Sequence, residues 1–192
     1  MFSKVAQNHW KQSLLFLLMV GIQPGVPVYA QGITVNQVHT EVRDDVLYLN
    51  VAVNIAPSKA MANALHEGVP LTFIYSIAIL HQRDYWVDDT VARLEQRYRL
   101  EYHALIQQYF LVNINSGSKF SFPSLQAAVS VLGTIVRLPL LDIDLLQSDE
   151  RYEGEIQVRL DDEALPVPLR LRSYFSSDWR LKSEWYTWPL HF

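Results

Sequence analysis

Residues 46–80 read VLYLNVAVNIAPSKAMANALHEGVPLTFIYSIAIL, which predicts a strand, a helix and a second strand in turn. In the first part, apolar side chains alternate with polar or small ones, as in a half-buried antiparallel strand. The apolar positions are Leu47, Leu49, Val51, Val53 and Ile55. Ser58 then precedes helix formers at residues 59–67 and Gly68 follows them, so we expect a serine-capped helix with a glycine stop. Residues 69–80 are apolar at odd and even positions, which indicates a central strand covered on both faces.

The segments on either side predict further antiparallel strands. Residues 33–42 form a polar-leaning strand, and residues 43–45 form a turn that joins it to the strand after it in a hairpin. Alternation returns at residues 97–105, where nearby aromatic and β-branched side chains favour strands over a helix. Residues 115–118 read NSGS, which predicts another turn.

A second short helix is predicted at residues 125–132, with Ser124 as its cap and Gly133 at its end. The order of hairpin, serine-capped helix, glycine and apolar strand therefore occurs twice, about 65 residues apart. This repeated order is consistent with an internal duplication.

The last third of the chain predicts two more strands. Apolar side chains at 156, 158 and 160 alternate with polar ones, so a strand lies within the acidic residues 142–163. Residues 165–168 read LPVP, which indicates a rigid extended bend, and the alternating residues 169–175 are expected to form a strand after it. These patterns predict an α+β fold. It is mainly antiparallel β, with sandwich-like sheets and two short helices in a single domain at residues 31–192.

The N-terminus has the pattern of a secretory signal peptide. Lys4 and Lys11 precede an apolar run at residues 13–22, which is too short to span a bilayer of about 30 Å as a helix. A helix-breaking segment and small residues ending at Ala30 follow, so we expect cleavage of residues 1–30 and export to the periplasm. The alternatives are an uncleaved anchor and an ordinary apolar helix.

Composition narrows the classes of function. The 192 residues are 49% hydrophobic and 19% charged, which excludes a disordered or collagenous chain. The formal net charge is -4, and loss of the signal peptide would remove two lysines, so nucleic acid and anionic lipid are poor partners. Because the chain contains no cysteine, we expect neither disulfides nor a lipid anchor attached to a cysteine.

No pattern of residues predicts nucleophilic or metal-dependent catalysis. The chain lacks cysteine and has no Gly-x-Ser-x-Gly elbow, which disfavours a hydrolase with a covalent intermediate. No two histidines stand three or four residues apart, and His81 with Asp84 is the nearest approach to a ligand pair. We therefore expect no metal and no cofactor, and the chain is more consistent with a non-enzyme than with an enzyme.

Paired carboxylates leave one enzymatic alternative open. They occur at Asp44/Asp45, Asp88/Asp89 and Asp161/Asp162. A glycosidase needs two carboxyl groups about 5–9.5 Å apart in a cleft. Each pair also adjoins a predicted turn, where aspartate bonds its own backbone, and this explains the pairs better. A glycan hydrolase of the envelope that uses Asp161 or Asp88 remains the alternative.

The C-terminus is dense in aromatic and basic side chains, which can bind a glycan, a peptide or a partner protein through stacking and contact area. The same side chains can instead lock a terminal strand over the core. The candidate binding surface consists of Trp179, Trp185, Tyr186, Trp188, Arg170 and Arg172, with Tyr85 and Trp86. Alternating apolar residues that end on Phe192 also leave open a small outer-membrane β-barrel, which two helices and Pro189 oppose.

Several motifs in this order resemble one uncharacterised bacterial family, domain of unknown function 4390, over essentially the whole predicted mature chain. The motifs are ALHEGVPLTF at residues 64–73, RLEYHAL at 99–105, FPSL at 122–125, VRLD at 158–161, LPVPL at 165–169 and SDWRLKSEW at 177–185. The resemblance implies an exported protein of Gram-negative bacteria with no established activity and no assigned catalytic residues. It also implies a gene neighbourhood with a sensor kinase, which suggests such a kinase as partner. We therefore expect a binding or accessory protein of the cell envelope.

Overall fold

The computed structural model describes residues 32–83 and 89–192. The predicted signal peptide at residues 1–30 lies outside the described residues, as do Tyr85 and Trp86. In chain order the elements are β1 (Gly32–Arg43), β2 (Val46–Ala56), α1 (Lys59–His66), β3 (Leu71–His81), β4 (Asp89–His103), β5 (Gln108–Asn113), β6 (Lys119–Phe122), α2 (Leu125–Leu132), β7 (Thr134–Asp142), β8 (Tyr152–Leu160), α3 (Val167–Phe175) and β9 (Tyr186–Pro189). The α+β fold predicted from the sequence is confirmed.

The smaller sheet contains three antiparallel strands in the order β1-β2-β7. Its hairpin turns at Asp44 and Asp45, whose φ angles are 48° and 61°. Two successive left-handed residues fit a two-residue turn whose twist matches that of the strands, and aspartate tolerates this conformation better than most residues. The predicted hairpin is therefore confirmed, and it brings Arg43 opposite Val46.

The larger sheet has the strand order β6-β5-β4-β3-β8-β9, and its neighbouring strands are antiparallel. The apolar strand β3 lies between β4 and β8, and eight of its first nine residues are buried. The prediction of a central strand covered on both faces is confirmed. The two faces of this sheet have different surroundings, and this difference positions the candidate site.

The inner face of the larger sheet packs into one hydrophobic cluster with β2, α1 and α2. Phe73 and Tyr75 of β3 are fully buried there, and they stand opposite Leu160 and Val158 of β8. The Tyr75 hydroxyl donates a hydrogen bond of 2.5 Å to the carbonyl oxygen of Leu132, which ties the sheet to α2. Desolvation raises the pKa of Tyr75 far above its ordinary value, so its hydroxyl remains a donor.

The alternate residues of the same strands form the outer face of this sheet. Because side chains alternate along a strand, the outer face carries the odd-numbered residues of β4 and β8. They include Arg93, Glu95, Arg97, Arg99 and Glu101 from β4, and Glu153, Glu155, Gln157 and Arg159 from β8. This charged surface borders the candidate site.

The two serine caps predicted from the sequence are confirmed. The Ser58 hydroxyl accepts a hydrogen bond of 3.1 Å from the Met61 amide at the start of α1. The Ser124 hydroxyl accepts one of 3.2 Å from the Ala127 amide at the start of α2. Each bond satisfies one of the amides that the first turn of a helix leaves without a partner.

The glycines that follow these two helices have different physical roles. Gly68 has a φ of 88°, the left-handed conformation in which a side chain is disfavoured. Gly133 has a φ of -74°, but a Cβ at this position would overlap the carbonyl oxygen of Val53 in β2. The first glycine permits a backbone conformation, and the second permits a close approach of α2 to the smaller sheet.

The prediction of a strand at residues 169–175 is wrong, because this segment belongs to α3. Pro166 is extended, as the predicted bend requires, but Val167 and Pro168 already lie in the first helical turn. A proline in that turn has a φ suited to a helix and no amide hydrogen to leave unsatisfied. The described residues therefore contain a third helix, and none of their helices has the length and apolarity needed to span a bilayer.

Candidate functional site

The partner of one β8 edge changes halfway along the strand, from a regular strand to an irregular segment. The candidate site lies beside the irregular half. The first half, residues 153–156, pairs with β9. Trp188 stands opposite Gly154, and a Cβ on this glycine would overlap the indole ring. The ring is 6% exposed, so it covers the glycine and closes this part of the edge. Its Nε1 has no hydrogen-bond partner among the described residues.

The second half of the edge pairs with an irregular segment, residues 181–185. The Leu160 amide donates to the carbonyl oxygen of Leu181 at 2.7 Å, and the Ser183 amide donates to that of Val158 at 2.8 Å. The Val158 amide donates in turn to the Ser183 hydroxyl at 3.0 Å. Because these bonds hold the backbone, residues 181–185 lie along the edge without forming a regular strand.

These backbone bonds place two cations side by side. Arg159 pairs with Lys182 in an antiparallel bridge, and the bonds at Leu160 and Ser183 flank the pair. In this arrangement the two side chains point to the same face and stand at the closer of the two cross-strand spacings. Within the described chain, neither cation forms an ion pair with a carboxylate.

An open cleft of about 510 Å³ lies beside this pair. We call it the Trp185 cleft, and it is lined by Gln157, Arg159, Leu160, Asp162, Ser173, Trp179, Arg180, Leu181, Lys182, Ser183, Glu184 and Trp185. Gln157 also lines the cleft and is only 6% exposed as a whole residue. Its carboxamide makes no hydrogen bond to a described residue, and its amide atoms are not among the fully buried atoms that lack a partner. The amide therefore reaches the cleft and can bond a group that enters it.

The two tryptophans that line the cleft are exposed to different degrees. Trp185 is 48% exposed and presents its ring to solvent beside the cations. Trp179 is 5% exposed, because the 3-10 turn Ser177–Trp179 directs it inward. The Ser176 hydroxyl caps this turn by accepting a hydrogen bond of 3.3 Å from the Asp178 amide. Trp179 therefore forms a wall of the cleft, whereas Trp185 forms an accessible platform.

The predicted aromatic surface is divided between core and surface. Trp179 and Trp188 are buried, so these two rings take the second of the two arrangements left open by the sequence and lie against the core. Tyr186 is half-buried on the inner side of β9, next to Ile156. Trp185 alone of this aromatic group is both exposed and part of the cleft. The difference arises because Trp188 lies over a glycine and packs into the core.

The two predicted arginines of α3 lie outside the cleft lining. Arg170 donates hydrogen bonds to the carbonyl oxygens of Glu163, at 2.5 Å, and Leu165, at 3.2 Å. It therefore holds the loop before α3, which is a structural role. Arg172 is exposed on α3, and its carbonyl oxygen accepts a bond of 2.9 Å from the Ser176 amide.

The carboxylates of the hydrolase hypothesis that the structure describes have different surroundings. Asp161 is 7% exposed, and its carboxylate forms an ion pair of 3.4 Å with Arg97. Asp44 and Asp45 form the hairpin turn of the smaller sheet. Asp88 lies outside the described residues.

Several cations elsewhere on the outer face form ion pairs with carboxylates. Glu101 accepts a bond of 2.7 Å from Arg99 and also faces His103 and Lys119, at 3.4 Å and 3.7 Å. Desolvation raises the pKa of Glu101, but the hydrogen bonds from His103 and Arg99 and the nearby positive charges outweigh it, so the net pKa is lowered. Arg159 and Lys182 form no such ion pair in the described part of the chain, although Asp162 and Glu184 also line the cleft, so two unpaired cations stand at adjacent cross-strand positions.

No group of three potential metal ligands occurs in residues 32–83 and 89–192. The His81 ring lies 3.0 Å from a Glu150 oxygen and packs on Tyr152. Asp84, the other half of the sequence pattern, is outside the described residues.

Sequence reasoning missed Gln157, Arg159 and Lys182 as candidate site residues. The alternation of β8 was a usable signal, because buried Ile156 and Val158 imply that Gln157 and Arg159 share the opposite face. Nothing local to Lys182 indicates that it stands opposite Arg159.

Comparisons with known proteins identify a family without an assigned function. A family model described as "Domain of unknown function (DUF4390)" matches residues 30–189. No curated protein and no solved structure was found to match the chain.

Proposed function

The chain belongs to the DUF4390 family, and from this premise we propose that it is a non-catalytic binding or accessory protein of the cell envelope. The Trp185 cleft is its ligand site. A sensor kinase with a domain outside the inner membrane is the partner that the family resemblance suggests.

The open cleft at the second half of the β8 edge is the observation that carries this proposal. Polar groups of Gln157, Arg159 and Lys182 converge on it, and no described residue bonds the Gln157 carboxamide. The exposed ring of Trp185 supplies apolar contact area next to it. A partly apolar wall with a few convergent polar groups is typical of a binding site.

The N-terminal sequence supports the envelope as the place of action. Its basic, apolar and small-residue regions follow the order of a secretory signal, so the domain would act after export. The absence of cysteine from the chain fits an exported protein that is not anchored by a lipid on cysteine.

Photo-crosslinking in the native cell tests the binding role. A photoreactive phenylalanine analogue replaces Trp185 in one variant and Val136 in a matched control. Val136 is 65% exposed on β7, in the smaller sheet. We expect a discrete adduct at position 185, identified by mass spectrometry as an envelope component, and none at position 136. Equal or absent labelling at both positions would contradict the proposal.

Fractionation of the same cells tests localisation. We expect the chain to be recovered from the periplasm without residues 1–30. Recovery of the intact chain from the inner membrane would overturn the proposed location while leaving the binding role to the crosslinking result.

A further inference from the structure

We propose that the Trp185 cleft binds an oxyanion of its ligand, a carboxylate or a phosphate, between Arg159 and Lys182, and that the Gln157 carboxamide donates to the same group. This inference rests on the proposed function, because it names the chemistry that the cleft recognises.

The like-charge pair is the first reason. Arg159 and Lys182 are direct cross-strand neighbours, and equal charges in such positions repel each other. An anion that lies between them turns this repulsion into two attractions. An arginine can contact both oxygens of a carboxylate or phosphate, and the lysine adds a compact charge.

The position of nearby carboxylates is the second reason. Asp162 and Glu184 also line the cleft, but neither forms an ion pair with a cation in the described part of the chain. Asp161 is already engaged by Arg97. Neither Arg159 nor Lys182 is neutralised by a described carboxylate, so both can contact an anion from outside.

Gln157 supplies the third reason. It lies two residues before Arg159 on the same face of β8, so the two side chains are about 7 Å apart at their Cβ atoms. Its amide group has two N–H donors, makes no hydrogen bond to the described protein and lines the cleft. A hydrogen bond to an anion is roughly twice as strong as one to a neutral group, so an oxyanion satisfies this amide better than water.

Trp185 indicates what adjoins the oxyanion. Its half-exposed ring lines the same cleft, so the remainder of the ligand can pack against an aromatic face. The cleft therefore suits a ligand that joins an anionic group to a flat or apolar portion.

The test uses ¹⁵N-labelled protein purified as the cell produces it, titrated at constant ionic strength with inorganic phosphate in one arm and acetate in the other. We expect saturable shifts of the Gln157 side-chain amide and the Trp185 indole signal in at least one arm. The arm with the tighter binding identifies the oxyanion as phosphate or carboxylate. No saturable shift in either arm would overturn the inference.

Charge-neutral variants locate the site. Arg159→Gln and Lys182→Gln should each weaken binding at least tenfold, whereas Lys182→Arg should retain it. Arg93→Gln is the matched control, because Arg93 is an exposed arginine of the same outer face without an ion pair to a described residue. A dispersed spectrum for each variant confirms folding. An equal effect of Arg93→Gln would show general charge attraction and overturn the specific site.

The crosslinking experiment separates the two proposals. If Arg159→Gln leaves the adduct at position 185 unchanged and neither anion binds, the binding role stands and the oxyanion inference fails. If no adduct forms while phosphate or acetate still saturates the site, the proposed role in binding an envelope partner is wrong and the oxyanion site stands.

Discussion

The two halves of the β8 edge are built from one strand and one C-terminal segment, yet they differ in backbone pairing, in apolar cover and in exposed charge. Along residues 153–156, β9 continues the sheet, and Trp188 covers Gly154. Along residues 157–160, the C-terminal segment contributes few backbone bonds and leaves Arg159 beside Lys182. The first half is covered on its inner face by an apolar ring, and the second half carries two adjacent cations on its outer face.

This difference shows how one sheet edge can serve both stability and recognition. A ring over a glycine buries apolar area and removes an exposed edge, which stabilises the fold. Two cations at directly opposite cross-strand positions do the opposite, because their repulsion costs free energy in the absence of a ligand. The unpaired cations therefore mark the half of the edge that is suited to a ligand.

Trp188→Ala should have the largest effect on stability. The variant removes a buried indole and leaves a cavity over Gly154, so we expect a loss of about 3–5 kcal/mol in the free energy of unfolding. Trp185→Ala is the matched control, and it should change this free energy by less than about 0.5 kcal/mol because the ring is half-exposed. Urea unfolding of both variants measures the difference, and similar losses would contradict the division of the edge.

Gly154→Ala should have the next largest effect. The added methyl group overlaps the ring of Trp188, a large and buried side chain, so we expect a loss of about 1–3 kcal/mol from overpacking. Gly32→Ala provides the control, because a Cβ at Gly32 meets no atom within 4 Å.

The cost of Gly154→Ala should disappear when it is measured in the Trp188→Ala background. A double-mutant cycle in urea reports this coupling. Additive losses would mean that the ring and the glycine do not depend on each other.

Lys182→Glu should stabilise the open half of the edge. The change replaces a like-charge pair with an ion pair to Arg159, so the free energy of unfolding should rise by about 0.2–1 kcal/mol. Lys182→Gln, which removes only the repulsion, should give a smaller gain. Thermal unfolding at low salt measures both, and the gain should shrink at about 1 M salt as the charges are screened. A loss of stability would show that the two cations do not repel each other.

Glu101→Gln should have the smallest effect, and its size should depend on pH. The pKa of Glu101 is lowered in the folded protein, so its contribution is present above the ordinary value of 4.5 and is lost as pH falls through the lower folded pKa. Near pH 7 we expect the free energy of unfolding of the variant to be lower by a few tenths of a kcal/mol. This value allows for solvent screening of a partly exposed ion pair. Urea unfolding of both proteins between about pH 7 and pH 3 should show the difference shrinking with acid. A difference that grows with acid would contradict the ion pairs at Glu101.

The candidate site was predictable from the sequence only in part. Aromatic density directed attention to the correct C-terminal segment, and Trp185 does line the cleft. The same signal also selected Trp188, because aromatic density in a sequence cannot separate a tryptophan that covers a glycine from one that faces solvent. Arg170 was selected for its charge, although its guanidinium holds carbonyl oxygens of the preceding loop. Composition reports which side chains are present, and burial depends on what lies across from them.

The error at α3 has a local cause. Leucine and arginine alternate at residues 169–172, and an alternation of four residues is too short to separate a strand from a helix. Pro168 was interpreted as part of an extended bend, although proline is equally suited to the first turn of a helix. Beyond Val167 the segment lacks β-branched side chains, and this was the signal that favoured a helix.

By itself, the sequence determined the elements whose causes lie within a few residues. Alternation specified β2 and β8, serine caps specified the starts of α1 and α2, and the polar residues 43–45 specified the turn of the first hairpin. Only the tertiary structure decided that Gly154 meets Trp188 and that Arg159 meets Lys182. The physical reason is distance along the chain: caps and periodicity act between near neighbours, whereas cross-strand contacts depend on where the whole C-terminal segment packs.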